Sequence, residues 1–201
     1  MEEMKKSKAL NVPNMLSILR MILVPFFVWA VLAMDMTTLW GRLTPAIIFA
    51  VTAFTDCLDG QIARRCNLVT NFGKFLDPLA DKFMVFAALV VMVYRYNYLH
   101  PVFLWCTVII MFRELAVTSL RLVAAGQSGV VIAASFFGKL KTVSQIAGIL
   151  VIILEPLLWW PVYGYAINPA SYVMMALMTL TTIASGIDYL RAYLPALDLN
   201  K

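Results

Sequence analysis

The chain is poor in the residues that most enzymes use for chemistry at neutral pH. Its one histidine, His100, stands beside Pro101 in a loop-like stretch. A Ser-His-Asp relay or a histidine-based metal site is therefore not expected. The three cysteines, Cys57, Cys66 and Cys106, are odd in number and include no C-x-x-C pair. That pattern argues against both a disulfide framework and a thiolate zinc site. Neither G-x-x-x-x-G-K-[ST] nor G-x-G-x-x-G occurs, so phosphates are not held by a P-loop or a Rossmann turn. Charge is scarce as well, at 13% of 201 residues, about half the usual ~25%. A disordered chain, a nucleic-acid module and an ordinary water-soluble enzyme are thereby excluded.

What fills the space is apolar: 62% of the residues are hydrophobic and the mean hydropathy is +0.84. At ~20 residues per crossing, the length accommodates about six or seven membrane helices. Six can be drawn, over residues 12–34, 43–65, 74–97, 101–125, 136–154 and 169–193. Gly126, Gln127, Ser128 and Gly129 break the pattern after the fourth. Pro156, Pro161, Gly164, Asn168 and Pro169 break it after the fifth. The expectation is an all-α integral membrane protein of six transmembrane helices, a single domain over 1–201, with 1–10 as a cytoplasmic surface segment.

The net charge is +5, which in such a chain reports orientation and contact with anionic lipid rather than a nucleic-acid partner. With a cytoplasmic N-terminus, fourteen of the sixteen basic residues fall on the cytoplasmic side, and only Arg42 and Arg95 on the other. The positive-inside rule thus puts both termini in the cytoplasm. The charges within the spans also crowd toward that one end. Arg20 and Arg191 can snorkel, but short aspartates cannot, and each costs ~2.5–3.5 kcal/mol at a helix centre. A polar cavity at the cytoplasmic end accounts for them.

Four aspartates carry the chemistry. Asp56, Asp59, Gly60 and Ala63 fall within an arc of about 100° on one helix, with Arg64 beside them, and Gly73, Asp77 and Asp81 within about 80° on the next. Converging carboxylates repel one another unless a cation neutralises them. An all-oxygen set with no His or Cys suits Mg²⁺ or Mn²⁺, and two such ions balance four negative charges. The small residues let a large ligand approach the backbone, and Arg64 can bind a phosphate bidentately.

The spacing D-x-x-D-G-x-x-A-R, followed by G-x-x-x-D-x-x-x-D, resembles the signature of the CDP-alcohol phosphotransferase family. Asn11–Asn14 with Arg20 resemble the family's first segment. Thr70–Lys74, Arg113–Thr118 with Arg121, and Gly138–Thr142 are similar to the branch whose acceptor is glycerol 3-phosphate. The resemblance implies a six-helix, usually homodimeric enzyme of the cell membrane with its active site facing the cytoplasm. Such an enzyme transfers a phosphatidyl group from CDP-diacylglycerol to an alcohol and releases CMP. By motif position, Asp56, Asp59, Asp77 and Asp81 would hold the two metal ions, with Asp81 also the base. The CDP-diacylglycerol site would comprise Asp56, Asp59, Gly60, Ala63, Arg64, Gly73 and Asp77. A phosphorylated acceptor needs further cations, and Arg113, Arg121, Lys139 and Lys141 supply them for glycerol 3-phosphate.

Two groups of alternatives stand beside this expectation. The same chemistry can serve inositol phosphate, inositol, serine or phosphatidylglycerol, though uncharged acceptors would have no use for so many cations. A divalent-cation transporter would place its carboxylates near the midplane, on broken helices or inverted repeats. No internal repeat is visible here.

Overall fold

The computed structural model describes the backbone of residues 12–66, 71–128, 136–163 and 168–193. Within these it describes the side chains of 15–55, 80, 82–97, 99–123, 136–158 and 168–193. The surface segment expected over 1–10 lies outside the described residues. Six α-helices follow in order: α1 (Val12–Ala33), α2 (Leu39–Cys66), α3 (Asn71–Arg95), α4 (Val102–Ser128), α5 (Phe136–Tyr163) and α6 (Pro169–Tyr193), with a short 3-10 turn at Asn97–Leu99 before α4. No strand occurs among the described residues.

The helix ends differ from the sequence expectation in an instructive way. α4 continues through Gly126 to Ser128, and α5 runs through Pro156 and Pro161 to Tyr163, nine residues past its expected end. An interior proline removes one amide donor, yet membrane helices tolerate it where neighbouring groups satisfy the freed carbonyl. Here the residue before Pro156 is anchored: Glu155 is 2% exposed and accepts hydrogen bonds from the amides of Ala170 and Ser171 and from the Ser171 hydroxyl. α2 and α3 likewise extend toward each other, so only residues 67–70 separate them, where about eight had been expected.

The chain divides into two compact units, Met1–Val91 and Met92–Lys201. In the first, α1 packs on α2. Ser17, Arg20, Val24, Phe27 and Val31 lie on the buried stripe of α1, at the three- and four-residue spacing of one helix face. Phe27 meets Phe49 of α2 with ring centroids 5.5 Å apart. The turn into α2 is fixed by Asp35, whose carboxylate accepts from the amide and hydroxyl of Thr37. Thr38 then caps the helix by accepting from the amide of Gly41 at 3.0 Å. Arg42, 2% exposed, donates back to the carbonyl of Met36.

In the second unit α6 is the shared partner, packing against both α4 and α5. Its buried positions Ser171, Met175, Met178, Thr182, Ser185 and Tyr189 alternate three and four apart, the spacing of a helix seam. Small and hydroxyl-bearing residues let backbones approach within a membrane. A Cβ on Gly148 of α5 would fall 2.3 Å from the Met178 sulfur, so any larger residue there forces the Met178 side chain to move. Ser144 bonds Thr181 at 2.8 Å and Gln145 bonds Thr182 at 3.2 Å, each contact worth roughly 0.6 kcal/mol in such a setting.

Four helical stretches are long and apolar enough to cross a membrane: Met15–Ala33, Val102–Val123, Phe136–Leu158 and Pro169–Tyr193. Leu39–Thr55 is a shorter apolar stretch. Large apolar side chains cover the outside of these helices, Phe112 at 74% exposure and Leu158 at 75% among them. In water such a surface would aggregate. Its solvent is lipid.

Candidate functional site

The motif aspartates sit on two uninterrupted helices. Asp56, Asp59, Gly60, Ala63 and Arg64 belong to the last third of α2, and Gly73, Asp77 and Asp81 to the first half of α3. The helical register assumed for their common faces is therefore present in the backbone. Their side chains lie outside the described residues. Among the described residues no three His, Cys, Asp or Glu gather into a metal-binding group, and the two helical i,i+3 and i,i+4 aspartate pairs offer oxygen donors of the kind hard divalent cations take.

The cations expected for an acceptor phosphate fall in the second unit, and three of the four meet there. Arg113, on the buried stripe of α4, keeps 8% of its side chain exposed and the neighbouring Glu114 10%. The Arg113 Nη1 donates to Glu114 Oε1 at 3.1 Å, and Nη2 donates to the Ser185 hydroxyl of α6 at 2.6 Å. Lys141 Nζ, from the first turns of α5, donates to the same Glu114 oxygen. Its side chain is 15% exposed.

Arg121 joins from two turns further along α4. Eight residues place its backbone ~12 Å up the axis and about 80° round from that of Arg113, so only the long side chains can bring the two guanidinium groups toward one ligand. Tyr189 of α6 bridges that gap. Its ring lies under both guanidinium groups, 5.6 Å from Arg113 and 5.9 Å from Arg121, centroid to Cζ, within cation–π range. Tyr193 stacks on Tyr189 from one turn on, with centroids 6.2 Å apart. Lys139 is exposed. It sits 200° round the helix from Lys141, whose stripe on α5 continues into buried Ser144, Gln145 and Gly148.

Glu114, Ser185, Gly186 and Tyr189 had not been expected among the partners of these cations. Only Glu114 left a signal in the sequence, as the one acidic residue of a largely apolar helix, beside Arg113. Gly186 is small for a specific reason: a Cβ there would meet Arg113 Cγ at 3.2 Å and Nε at 3.6 Å. The Arg113 Nε is buried with no hydrogen-bond partner among the described residues. Such a donor costs about 1–3 kcal/mol if left unsatisfied. The arrangement is a net-positive cluster, desolvated at Arg113 and Lys141 and open at the exposed Arg121, with a spare donor, and is suited to an anion carrying several oxygens.

Comparison with known proteins places the chain in a family. The family model for CDP-alcohol phosphatidyltransferase matches residues 10–184. A protein of Bacillus subtilis named CDP-diacylglycerol–glycerol-3-phosphate 3-phosphatidyltransferase is 40% identical over 192 residues, covering 89% of this chain and 93% of its own length. A protein of Yersinia enterocolitica with the same name is 38% identical over 188 residues, covering 91% and 94%. A probable phosphatidylglycerophosphate synthase of Mycobacterium tuberculosis is 36% identical over 184 residues, covering 92% and 82%. With the signature in place on α2 and α3 and the family model spanning most of its length, the chain belongs to the CDP-alcohol phosphatidyltransferase family.

Proposed function

We propose that the chain transfers the phosphatidyl group of CDP-diacylglycerol to glycerol 3-phosphate, yielding phosphatidylglycerophosphate and CMP. The observation that carries the choice of acceptor is the buried cluster of Arg113 and Lys141 around Glu114, with Arg121 joined through Tyr189. Serine or free inositol would give the desolvated Arg113 and Lys141 nothing to neutralise, whereas a phosphate monoester brings close to two negative charges. The relatives named above carry the same assignment in their names.

The donor side rests on α2 and α3. Asp56, Asp59, Asp77 and Asp81 would hold two Mg²⁺ or Mn²⁺ ions. When bound, such ions neutralise a diphosphate and stabilise charge on a leaving nucleotide. Gly60, Ala63 and Gly73 leave room for the cytidine and diphosphate, and Arg64 pairs with a phosphate oxygen. Asp81 accepts the proton of the acceptor's primary hydroxyl as that oxygen attacks the β-phosphorus. The new P–O bond forms as the bond to CMP breaks. The acceptor's own phosphate is held by Arg113, Arg121 and Lys141, with Lys139 as an outer charge. Six spans, cytoplasmic termini and active site, and a homodimer complete the reading. Its support is the charge asymmetry of the sequence and the family pattern.

The test uses purified protein in detergent with CDP-diacylglycerol and Mg²⁺ or Mn²⁺. CMP release is measured with glycerol 3-phosphate, inositol phosphate, inositol, serine and phosphatidylglycerol in turn. Glycerol 3-phosphate is expected to be the preferred acceptor, and chelation to abolish release. Asp59→Asn and Asp77→Asn are expected to abolish it while the protein still purifies. Near-normal rates from either variant overturn the metal assignment, and preference for serine or inositol overturns the acceptor.

A further inference from the structure

An acidic side chain at the centre of an anion site needs an explanation. Glu114 receives Arg113 from its own helix and Lys141 from α5 on one carboxylate oxygen. Both cations are largely desolvated, where like charges repel strongly and an unpaired charge is costly. Without the carboxylate they would move apart or swing toward the aqueous end. With it, they converge before any ligand arrives. The sum of charge points the same way: Arg113, Lys141 and the exposed Arg121 contribute three positive charges and Glu114 removes one, with Lys139 outside the count. The resulting +2 matches a phosphate monoester, which carries close to −2 at neutral pH.

We propose that Glu114 is a positioning residue of the acceptor site: it holds Arg113 and Lys141 as a converging pair and sets the cluster's net charge to match the acceptor's phosphate group. The inference rests on reading the cluster as the acceptor-phosphate site. Ser185 and Gly186 complete the device from α6, one fixing Nη2 by a hydrogen bond and the other leaving space for the Arg113 side chain. The unpartnered Arg113 Nε is the donor left over for a phosphate oxygen. Glu114 touches the cations rather than the reacting atoms, so its effect belongs on acceptor affinity and not on the chemical step.

The experiment measures KM for glycerol 3-phosphate and for CDP-diacylglycerol, together with kcat, in wild type, Arg113→Gln, Glu114→Gln, Glu114→Asp, Lys141→Gln and the Glu114→Gln/Lys141→Gln double variant. Glu114→Gln is expected to raise the acceptor KM at least tenfold with the donor KM within twofold of wild type. Glu114→Asp, keeping the charge on a shorter arm, is expected to fall between. The double variant is expected to be no worse than the poorer single one, because each substitution breaks the same contact. A wild-type or lower acceptor KM in Glu114→Gln, alongside a raised one in Arg113→Gln, overturns the positioning role and leaves the acceptor site standing. Unchanged acceptor KM in both Arg113→Gln and Lys141→Gln overturns the acceptor site itself. If Glu114→Gln does not accumulate, Glu114→Asp decides: a selective rise in acceptor KM supports the role, and equal rises for both substrates overturn it.

Discussion

The second unit buries two glutamates at opposite ends, about 21 Å apart along α5 if Lys141 marks the place of Glu114, and it treats them differently. Glu155 takes two backbone amides and a hydroxyl at the start of α6. Its charge is absorbed by the unsatisfied donors and positive pole of a helix N-terminus. Glu114 takes side-chain cations from α4 and α5 that outnumber it. The first arrangement is closed, with its donors committed to the fold. The second has positive charge and an unused donor remaining. Depth of burial does not separate the two glutamates; the identity of the donors does.

Several substitutions sharpen or break that contrast. The largest effect is expected from Arg113→Gln, which removes a charge-assisted contact worth ~1.5–3 kcal/mol. The acceptor KM in CMP-release assays should rise ten- to a hundredfold, with little change for the lipid donor. Next comes Glu155→Gln, which keeps one acceptor oxygen but loses the charge. Thermal unfolding in detergent should show a loss of about 1–2 kcal/mol, while both KM values stay at wild type. A kinetic defect without destabilisation there would erase the distinction between the two glutamates. Gly186→Ala is milder: the added methyl presses on the Arg113 shaft at 3.2 Å, and a few-fold rise in acceptor KM is expected with the donor KM unchanged. Smallest of all, in a cysteine-free background Lys139→Cys removes an outer charge and should raise the acceptor KM no more than about twofold, and Tyr163→Cys should leave activity unchanged. An impermeant thiol reagent should reach them from opposite sides of the membrane, and labelling of both from outside intact cells would break the proposed orientation of the two ends.

Much of this was legible in the sequence, and the remainder was hidden for definable reasons. Hydropathy revealed the helices because lipid leaves a chain few other ways to satisfy its backbone. The aspartate motif was visible because helical spacing alone puts Asp56 and Asp59, and Asp77 and Asp81, on shared faces. The ends of α4 and α5 were misjudged because Gly126 and Pro156 read as breakers, while the Glu155 anchor lies 15 residues from its partner amide. The pairing of Glu114 with Lys141 spans 27 residues and two helices, beyond any local pattern. Lys139 and Lys141 look equivalent on paper, yet two residues of helix rotation put only the second on the buried stripe of α5. Ser185, Gly186 and Tyr189 resemble the ordinary small and aromatic residues of a membrane helix until Arg113 is seen against them.

The Glu155 anchor also bears on how the chain enters the bilayer. While α5 is synthesised alone, its carboxylate has no helix N-terminus to receive it, and an unpaired acid among lipid tails is disfavoured. The penalty vanishes only when the backbone amides of Ala170 and Ser171 arrive. Partition of α5 and α6 from the insertion machinery is therefore expected to be concerted, as a hairpin. A chain truncated after Tyr163 should hold its fifth helix in the bilayer less firmly than the complete chain does.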